Sequence, residues 1–307
     1  MLVSLVLLLT IIWATACKAG GNTGQVRARP TPLPTSTPLP PLPTDPPPGS
    51  ELNPIVFVMV NTEDADNLES KAEDLSDTFS NEAEMVVQVK VLDNYGEALS
   101  ELCLGQAHVI SAQAFAYLSA QERQCGTGQY IAEVDGELNT QGQMMTISGR
   151  EIFTVKGFEG YRFCRPSASS LNGWIIPGLS LRKNLINPFT DLFSVTDSGS
   201  DQDVVEDLVT FRCDVGASAL GAEDDVPNSG VINVVEVLPP VPNDTVMLTT
   251  ALDTQVTRKV QELLDDHLDD LADLIGADNL EPSDDTQFDE LRQLLDDANV
   301  SAASMGK

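Results

Sequence analysis

The stretch Phe163–Pro177, FCRPSASSLNGWIIP, decides how the rest of the chain is interpreted. A short apolar and basic segment leads into a turn of serine and asparagine residues, and an apolar helical pattern follows Gly173. Serine and asparagine favour the position before a first helical turn, whose amides lack internal partners. Those amides and the helix dipole favour phosphate or carboxylate. The stretch predicts a strand, a turn and a helix start suited to an anion; an ordinary helix cap is the simpler alternative.

The charge of the chain excludes some partners. The net charge is −30, from 17 basic and 47 acidic residues. This argues against nucleic acid, whose phosphates require a basic face, and against an anionic membrane surface. The segment from Arg150 to Lys183 is the exception, because its six basic and two acidic residues give a local charge of +4. The serine-rich turn lies inside this segment, which favours an anionic ligand there.

The N-terminal region predicts export. Leu2–Trp13 is almost wholly apolar and short, as in a signal peptide. The residues Ala14–Cys17 resemble the lipobox of bacterial lipoproteins, so residues 1–16 are predicted as signal peptide and Cys17 as the lipidated residue. Residues 17–52 are predicted as a tether, since 10 of the 19 prolines lie between Pro30 and Pro48. An uncleaved anchor with an unmodified Cys17 is the alternative.

Hydrophobic periodicity predicts an α/β fold. Apolar runs typical of buried strands, at Pro54–Asn61, Met85–Leu92 and Val109–Ala112, alternate with helical patterns. A strand is also predicted at Glu151–Val155, and one long amphipathic helix at Thr254–Ile275. Ligands of such folds bind at the carboxyl ends of the strands.

The cysteines favour disulfides, and the sequence contains no motif for a metal site or for catalysis. Four cysteines follow Cys17, and an even number in an exported chain favours two disulfides. The preferred pairs are Cys103–Cys125 and Cys164–Cys213, because each brackets one compact segment; the other two connectivities remain open. No metal-binding or catalytic spacing is present. We therefore expect no metal, no cofactor and no enzyme activity.

Four landmarks in order resemble one family, the phosphate, phosphite and phosphonate-binding proteins of ABC transporters (PhnD-like type 2 periplasmic binding lipoproteins). They are Tyr95–Tyr117, Gly160–Pro177, Asp197–Gly216 and Leu238–Leu248. The resemblance implies a two-lobe α/β fold with central mixed sheets and a hinge of two crossover segments. Lobe 1 is expected at residues 53–140 plus 241–300, and lobe 2 at residues 141–240. The crossovers are expected near Gln141–Ile147 and Val231–Leu238.

The resemblance also implies a ligand site between the lobes. Its expected residues are Tyr117, Ser170, Asn172, Gly173, Gly199, Ser200 and Asp201. Ser170 and Gly173 match the family's Ser-Thr-Ser-Gly turn, whereas Leu171 lacks the hydroxyl and Asp201 replaces a histidine. The resemblance implies a small oxyanion as the ligand, phosphonate-like or phosphate-like. A carboxylate at Asp201 would repel a phosphonate dianion unless it contacts a cationic part such as an amine, so a zwitterion or a different anion is the alternative ligand.

The resemblance finally implies partners and location. The protein is expected to be a monomer outside the cytoplasm, held on the outer face of the cell membrane by its lipid, delivering ligand to an ABC permease. A ligand-sensing module, or a surface interaction module with an altered or lost ligand, is the alternative on the same fold.

Overall fold

The computed structural model describes residues 46–61 and 68–305. The expected signal peptide, Cys17 and most of the proline-rich segment lie outside the described residues. In chain order the strands are β1 (Ile55–Val60), β2 (Val87–Leu92), β3 (Val109–Ala112), β4 (Gly126–Glu133), β5 (Asn139–Thr140), β6 (Gly142–Ile147), β7 (Arg162–Arg165), β8 (Ser194–Asp197), β9 (Val215–Ala219), β10 (Ile232–Val237), β11 (Val241–Pro242), β12 (Thr245–Thr249) and β13 (Asn279–Pro282). The α-helices are α1 (Leu68–Ala83), α2 (Tyr95–Cys103), α3 (Ala114–Glu122), α4 (Ile176–Lys183), α5 (Asp201–Val209), α6 (Thr254–Asp266), α7 (Leu268–Ile275) and α8 (Asp289–Asp297).

The first sheet has six strands in the order β13-β4-β12-β3-β1-β2. Strand β1 runs parallel to β2 and β3, whereas β12 runs antiparallel to β3 and β4. All six residues of β1 are buried, and alternate side chains enter different cores. Val56 and Val58 pack with α2, α3 and α8, while Phe57 and Met59 pack with α1, α6 and α7. Helices therefore cover both faces of this sheet.

The second sheet has five strands in the order β10-β6-β9-β7-β8. Strand β7 is parallel to β8 and β9, and β6 is antiparallel to β9 and β10. Between the two sheets the chain crosses twice, and the crossings pair as the short ladder of β5 and β11. The expected two-lobe α/β fold with mixed sheets is confirmed. An ion pair of 3.0 Å between Lys183 of α4 and Asp297 of α8 joins helices of the two lobes.

The predicted long helix at Thr254–Ile275 is wrong in one respect, because it is broken into α6 and α7 at His267. The backbone of His267 leaves the helical region, with φ −130° and ψ 32°. Its ring nitrogens contact Glu82 Oε2 at 2.8 Å and Asp270 Oδ2 at 3.0 Å. Burial lowers the pKa of His267, but these carboxylates outweigh it and raise the pKa overall. Tertiary contacts with α1 therefore accompany a break that hydrophobic periodicity does not show.

The predicted strand at Glu151–Val155 is also wrong. Glu151 has a positive φ of 54°, and irregular backbone continues into a 3-10 turn at Val155–Phe158. Strand β4, by contrast, is not indicated by the sequence pattern, because its first residues are rich in glycine. A Cβ added at Gly128 would lie 3.0 Å from the Tyr117 ring, so the close approach of α3 explains this glycine.

The four described cysteines lie in two pairs, and they are the pairs preferred from the sequence. Cys103 joins Cys125 with a Cα–Cα distance of 5.0 Å, and Cys164 joins Cys213 with one of 5.8 Å. Both distances fall within the range that a disulfide requires. We expect mass-spectrometric peptide mapping of the unreduced protein to recover these two cross-linked pairs. Recovery of Cys103 linked to Cys164 or Cys213 would contradict the pairing.

Candidate functional site

A cleft of about 730 Å³ lies between the lobes. From lobe 1 it is lined by the starts of α2 and α3, and from the crossings by Thr140, Val241 and Pro242. Ser169, Leu171 and Ile175 line it from lobe 2. The volume is that of a small-molecule site. The cleft also lies where β2 and β3 end and their following helices begin, as expected for α/β sheets.

The start of α3 leaves its amides open. Gln113 holds the N-cap position with φ −62° and ψ 161°, and its side chain makes no capping hydrogen bond. Residues 113–116 line the cleft, and the amides of a first helical turn have no partner inside the helix. At the start of α2, by contrast, Asn94 Oδ1 accepts a hydrogen bond of 3.0 Å from the Glu97 amide. Of the two helix starts that line the cleft, the start of α3 is the one without a side-chain cap.

The charged groups of the cleft are acidic. Among the described residues, Asp93 and Asp244 are the charged side chains that line it. The Tyr95 hydroxyl donates a hydrogen bond of 2.5 Å to Asp244 Oδ2. Burial raises the pKa of Asp244 to about 6, although the Tyr95 hydroxyl opposes the shift. Burial and the neighbouring Asp244 carboxylate also raise the pKa of Tyr95. At neutral pH the cleft therefore contains a carboxylate held in a poorly solvated position.

The serine-rich turn contributes Ser169 and Leu171 to the cleft lining, and other polar groups of the turn are hydrogen-bonded within it or to Thr140. Of the serine and asparagine residues of the turn, Ser170 is the cap, and its hydroxyl accepts a hydrogen bond of 3.0 Å from the Gly173 amide. Gly173 is buried against Pro166, where a Cβ would lie 2.1 Å from Cδ of the proline ring. Asn172 Nδ2 donates to Thr140 Oγ1 at 2.5 Å. A π-helical turn at Leu171–Ile175 then leads into α4. The Gly173 amide, expected to bind the anion, is already satisfied inside the turn.

The second expected turn lies apart from the cleft-lining residues. Ser200 caps α5, because its hydroxyl accepts a hydrogen bond of 3.1 Å from the Asp203 amide. Asp201 Oδ1 accepts one of 2.7 Å from the Ala219 amide and so ties α5 to the end of β9. Gly199 has a φ of +116°, which explains the glycine. The contacts of these three residues are structural.

Tyr117, expected beside the ligand between the lobes, is instead buried in the core of lobe 1. It is 2% exposed, and its ring packs on Phe288 with a centroid distance of 4.2 Å. Its hydroxyl donates to Asp285 Oδ1 at 2.9 Å and accepts from Gln121 Nε2 at 2.7 Å. Burial and Asp285 raise the pKa of Tyr117. Tyr117 therefore joins α3 to the C-terminal helix region, and it is not one of the residues that line the cleft.

The basic residues of the Arg150–Lys183 segment do not bring a cation into the cleft. Arg150 and Arg162 both pair with Asp214, and the Arg162 Nε–Asp214 Oδ2 distance is 2.8 Å. Arg165 pairs with Asp197 at 2.6 Å and lies over the Trp174 ring, 4.2 Å from its centroid. Any anion in this cleft would thus depend on backbone amides and hydroxyls.

Sequence reasoning missed three of the groups that define the cleft, namely Tyr95, Gln113 and Asp244. Tyr95 and Gln113 lie within the first landmark, and Asp244 lies within the fourth, so the signal was present in the resemblance. Their convergence was not visible, because the Tyr95–Asp244 hydrogen bond joins residues 149 positions apart.

The family of phosphonate ABC transporter periplasmic substrate-binding proteins matches residues 57–288. The chain belongs to this family. The match confirms the resemblance seen in the four landmarks. The family consists of periplasmic transport proteins, not enzymes, whose members bind small phosphonate ligands and work with an ABC permease.

Two solved structures of one protein share the fold of this chain. XAC2383 from Xanthomonas citri, bound to ATP, is 18% identical with a TM-score of 0.57, over 80% of this chain and 97% of that one. The same protein bound to chloride ion gives a TM-score of 0.56 over the same shares. PhnD1 from Prochlorococcus marinus, in complex with methylphosphonate, is 14% identical with a TM-score of 0.48, over 80% of this chain and 98% of that one. No curated protein matches the chain. Within residues 46–61 and 68–305, no helix has the length and apolar character needed to cross a membrane.

Proposed function

We propose that the protein is an extracytoplasmic solute-binding lipoprotein of an ABC importer, and that its cleft binds a zwitterionic aminoalkylphosphonate. The observation that carries this proposal is that the cleft holds an uncapped helix start and a poorly solvated carboxylate together. The phosphonate would bind the first-turn amides of α3, where the helix dipole favours an anion. The amine would pair with Asp244, which otherwise repels the phosphonate.

The lobe boundaries and the anchor form part of the same proposal. We assign residues 53–140 plus 241–300 to lobe 1 and residues 141–240 to lobe 2, because the β5–β11 ladder lies at both boundaries. Ligand would shift the population toward a closed form that the permease recognises, in proportion to its preference for that form. The apolar N-terminal stretch and Cys17 support a lipid anchor at the outer face of the membrane.

Ligand binding can be measured by thermal shift and calorimetry on the full-length protein in detergent. We expect 2-aminoethylphosphonate to bind at least ten-fold more tightly than methylphosphonate, because only the former carries an amine for Asp244. At 100 times its dissociation constant a ligand adds about 2.7 kcal/mol of stability. Asp244→Asn should remove the preference between the two ligands.

Gln113→Glu tests the anion position. The substitution is isosteric and a carboxylate suits a helix start, so the fold should be retained while the phosphonate is repelled. We expect a loss of affinity of ten-fold or more. Gln106→Glu is the matched control, since it makes the same charge change at an exposed turn outside the cleft. No response to any phosphonate from folded protein would favour an interaction module with an altered or lost ligand.

A further inference from the structure

A second cavity, of about 500 Å³, lies between α4 and the C-terminal residues 299–305. We call it the side pocket. Ile175 and Met305 line both the cleft and the side pocket, so the two cavities adjoin. Its volume falls within the range of pockets that enclose small ligands. Neither the sequence landmarks nor the proposed phosphonate site gives the side pocket a role.

Most residues that line the side pocket are apolar or aromatic, and Asn299, Ser301 and Ser304 add polar groups from the C-terminal segment. Trp174 and Phe189 meet edge to face with their centroids 6.0 Å apart, and Leu179 and Val300 are among the other apolar residues that line the pocket. Trp174 is 8% exposed, whereas Phe189 is 71% exposed. The Phe189 amide donates a hydrogen bond of 3.0 Å to Asn187 Oδ1, which fixes the turn that carries this ring. A large apolar ring held in water at a pocket rim is stabilised when a ligand covers it.

The charge of the side pocket is opposite to that of the cleft. Among the described residues that line the side pocket, Arg182 is the one that carries a charge. The Arg182 guanidinium makes no ion pair or side-chain hydrogen bond within residues 46–61 and 68–305, whereas its neighbour Lys183 is paired with Asp297. In a chain with a net charge of −30, an unpaired guanidinium beside an aromatic pocket is suited to a carboxylate, phosphonate or sulfonate.

We propose that the side pocket binds an amphipathic monoanion, an aryl or medium-chain alkyl acid. Its apolar body lies against Trp174 and Phe189, and its acid group pairs with Arg182. This site does not depend on the phosphonate proposed for the cleft, because the two cavities present different groups to a ligand.

The probe for this site is 4-phenylbutyrate, titrated by calorimetry into the full-length protein, with 4-phenylbutan-1-ol as its neutral analogue. We expect the acid to bind at least ten-fold more tightly than the alcohol. Arg182→Gln should weaken the binding of the acid about ten-fold and leave the binding of the alcohol unchanged. Arg123→Gln is the matched control, since Arg123 is an exposed arginine that does not line the pocket, and it should change neither affinity. Phe189→Ser should weaken the binding of both probes. Phe153 is 81% exposed and lies outside the side pocket, so Phe153→Ser should weaken the binding of neither probe.

Two outcomes would overturn the proposal. One is the absence of 4-phenylbutyrate binding to the unmodified protein at millimolar concentration. The other is binding of the acid that Arg182→Gln leaves intact; a loss of that binding in Gln113→Glu would then place the acid in the cleft. Neither outcome bears on 2-aminoethylphosphonate binding, so the two proposals fail separately.

Discussion

Gly173→Ala is expected to destabilise the protein by about 3 kcal/mol, because the new methyl group has no space. A Cβ at this position would lie 2.1 Å from Cδ and 2.7 Å from Cγ of Pro166, and 2.9 Å from the Ser170 hydroxyl. The proline ring is rigid, and the Ser170 hydroxyl is already bonded to the Gly173 amide. The turn must open to accept the substitution. Thermal unfolding followed by circular dichroism should show a midpoint lower by roughly 10 °C.

Gly178→Ala is the matched control for this experiment. Gly178 lies in α4, and a Cβ there would meet no atom within 4 Å. Since alanine is a better helix former than glycine, this variant should be as stable as the unmodified protein or more stable by up to ~1 kcal/mol. Equal midpoints for Gly173→Ala and Gly178→Ala would show that the turn is not closely packed around Gly173.

Asp244→Asn is expected to stabilise the protein at pH 7.5 by on the order of 2–3 kcal/mol. The pKa of Asp244 is about 6 in the folded protein, against an ordinary value of 3.8. The folded protein therefore holds this proton more strongly than the unfolded chain does. Stability from this proton is fully present below pH 4 and is lost as the pH rises through about 6, at about 1.4 kcal/mol per pKa unit. Asparagine carries no charge between pH 4 and pH 7.5, so the Asp244→Asn variant does not lose this stability as the pH rises.

Urea unfolding of both proteins between pH 4 and pH 7.5 measures this difference. The two free energies of unfolding should agree near pH 4 and separate above it, with the asparagine variant the more stable. Asp93→Asn controls for the change in net charge, because it removes a carboxylate from an exposed position of the same cleft. Parallel curves for Asp244→Asn and the unmodified protein would contradict the assignment of a poorly solvated carboxylate at Asp244.

Local structure can be predicted from the sequence where a single cause acts on neighbouring residues. Strands β1 and β3 follow from short apolar runs, and the helix cap in the serine-rich turn follows from hydroxyls placed before a helical pattern. The order of the four landmarks was enough to predict the family and the two-lobe fold. Each of these inferences depends on residues that are neighbours in the chain, or on a pattern repeated along it.

The set of groups that meet in the cleft depends on long-range packing, which local sequence patterns do not show. Tyr117 fits the family's order of motifs, yet packing against Phe288 and the hydrogen bond to Asp285 place it outside the cleft lining. Asp244 has a raised pKa because distant segments bury it and bring Tyr95 to it. The break at His267 likewise accompanies contacts with Glu82, 185 positions away. Burial and long-range hydrogen bonds are properties of the assembled fold, so no local pattern in the sequence encodes them visibly.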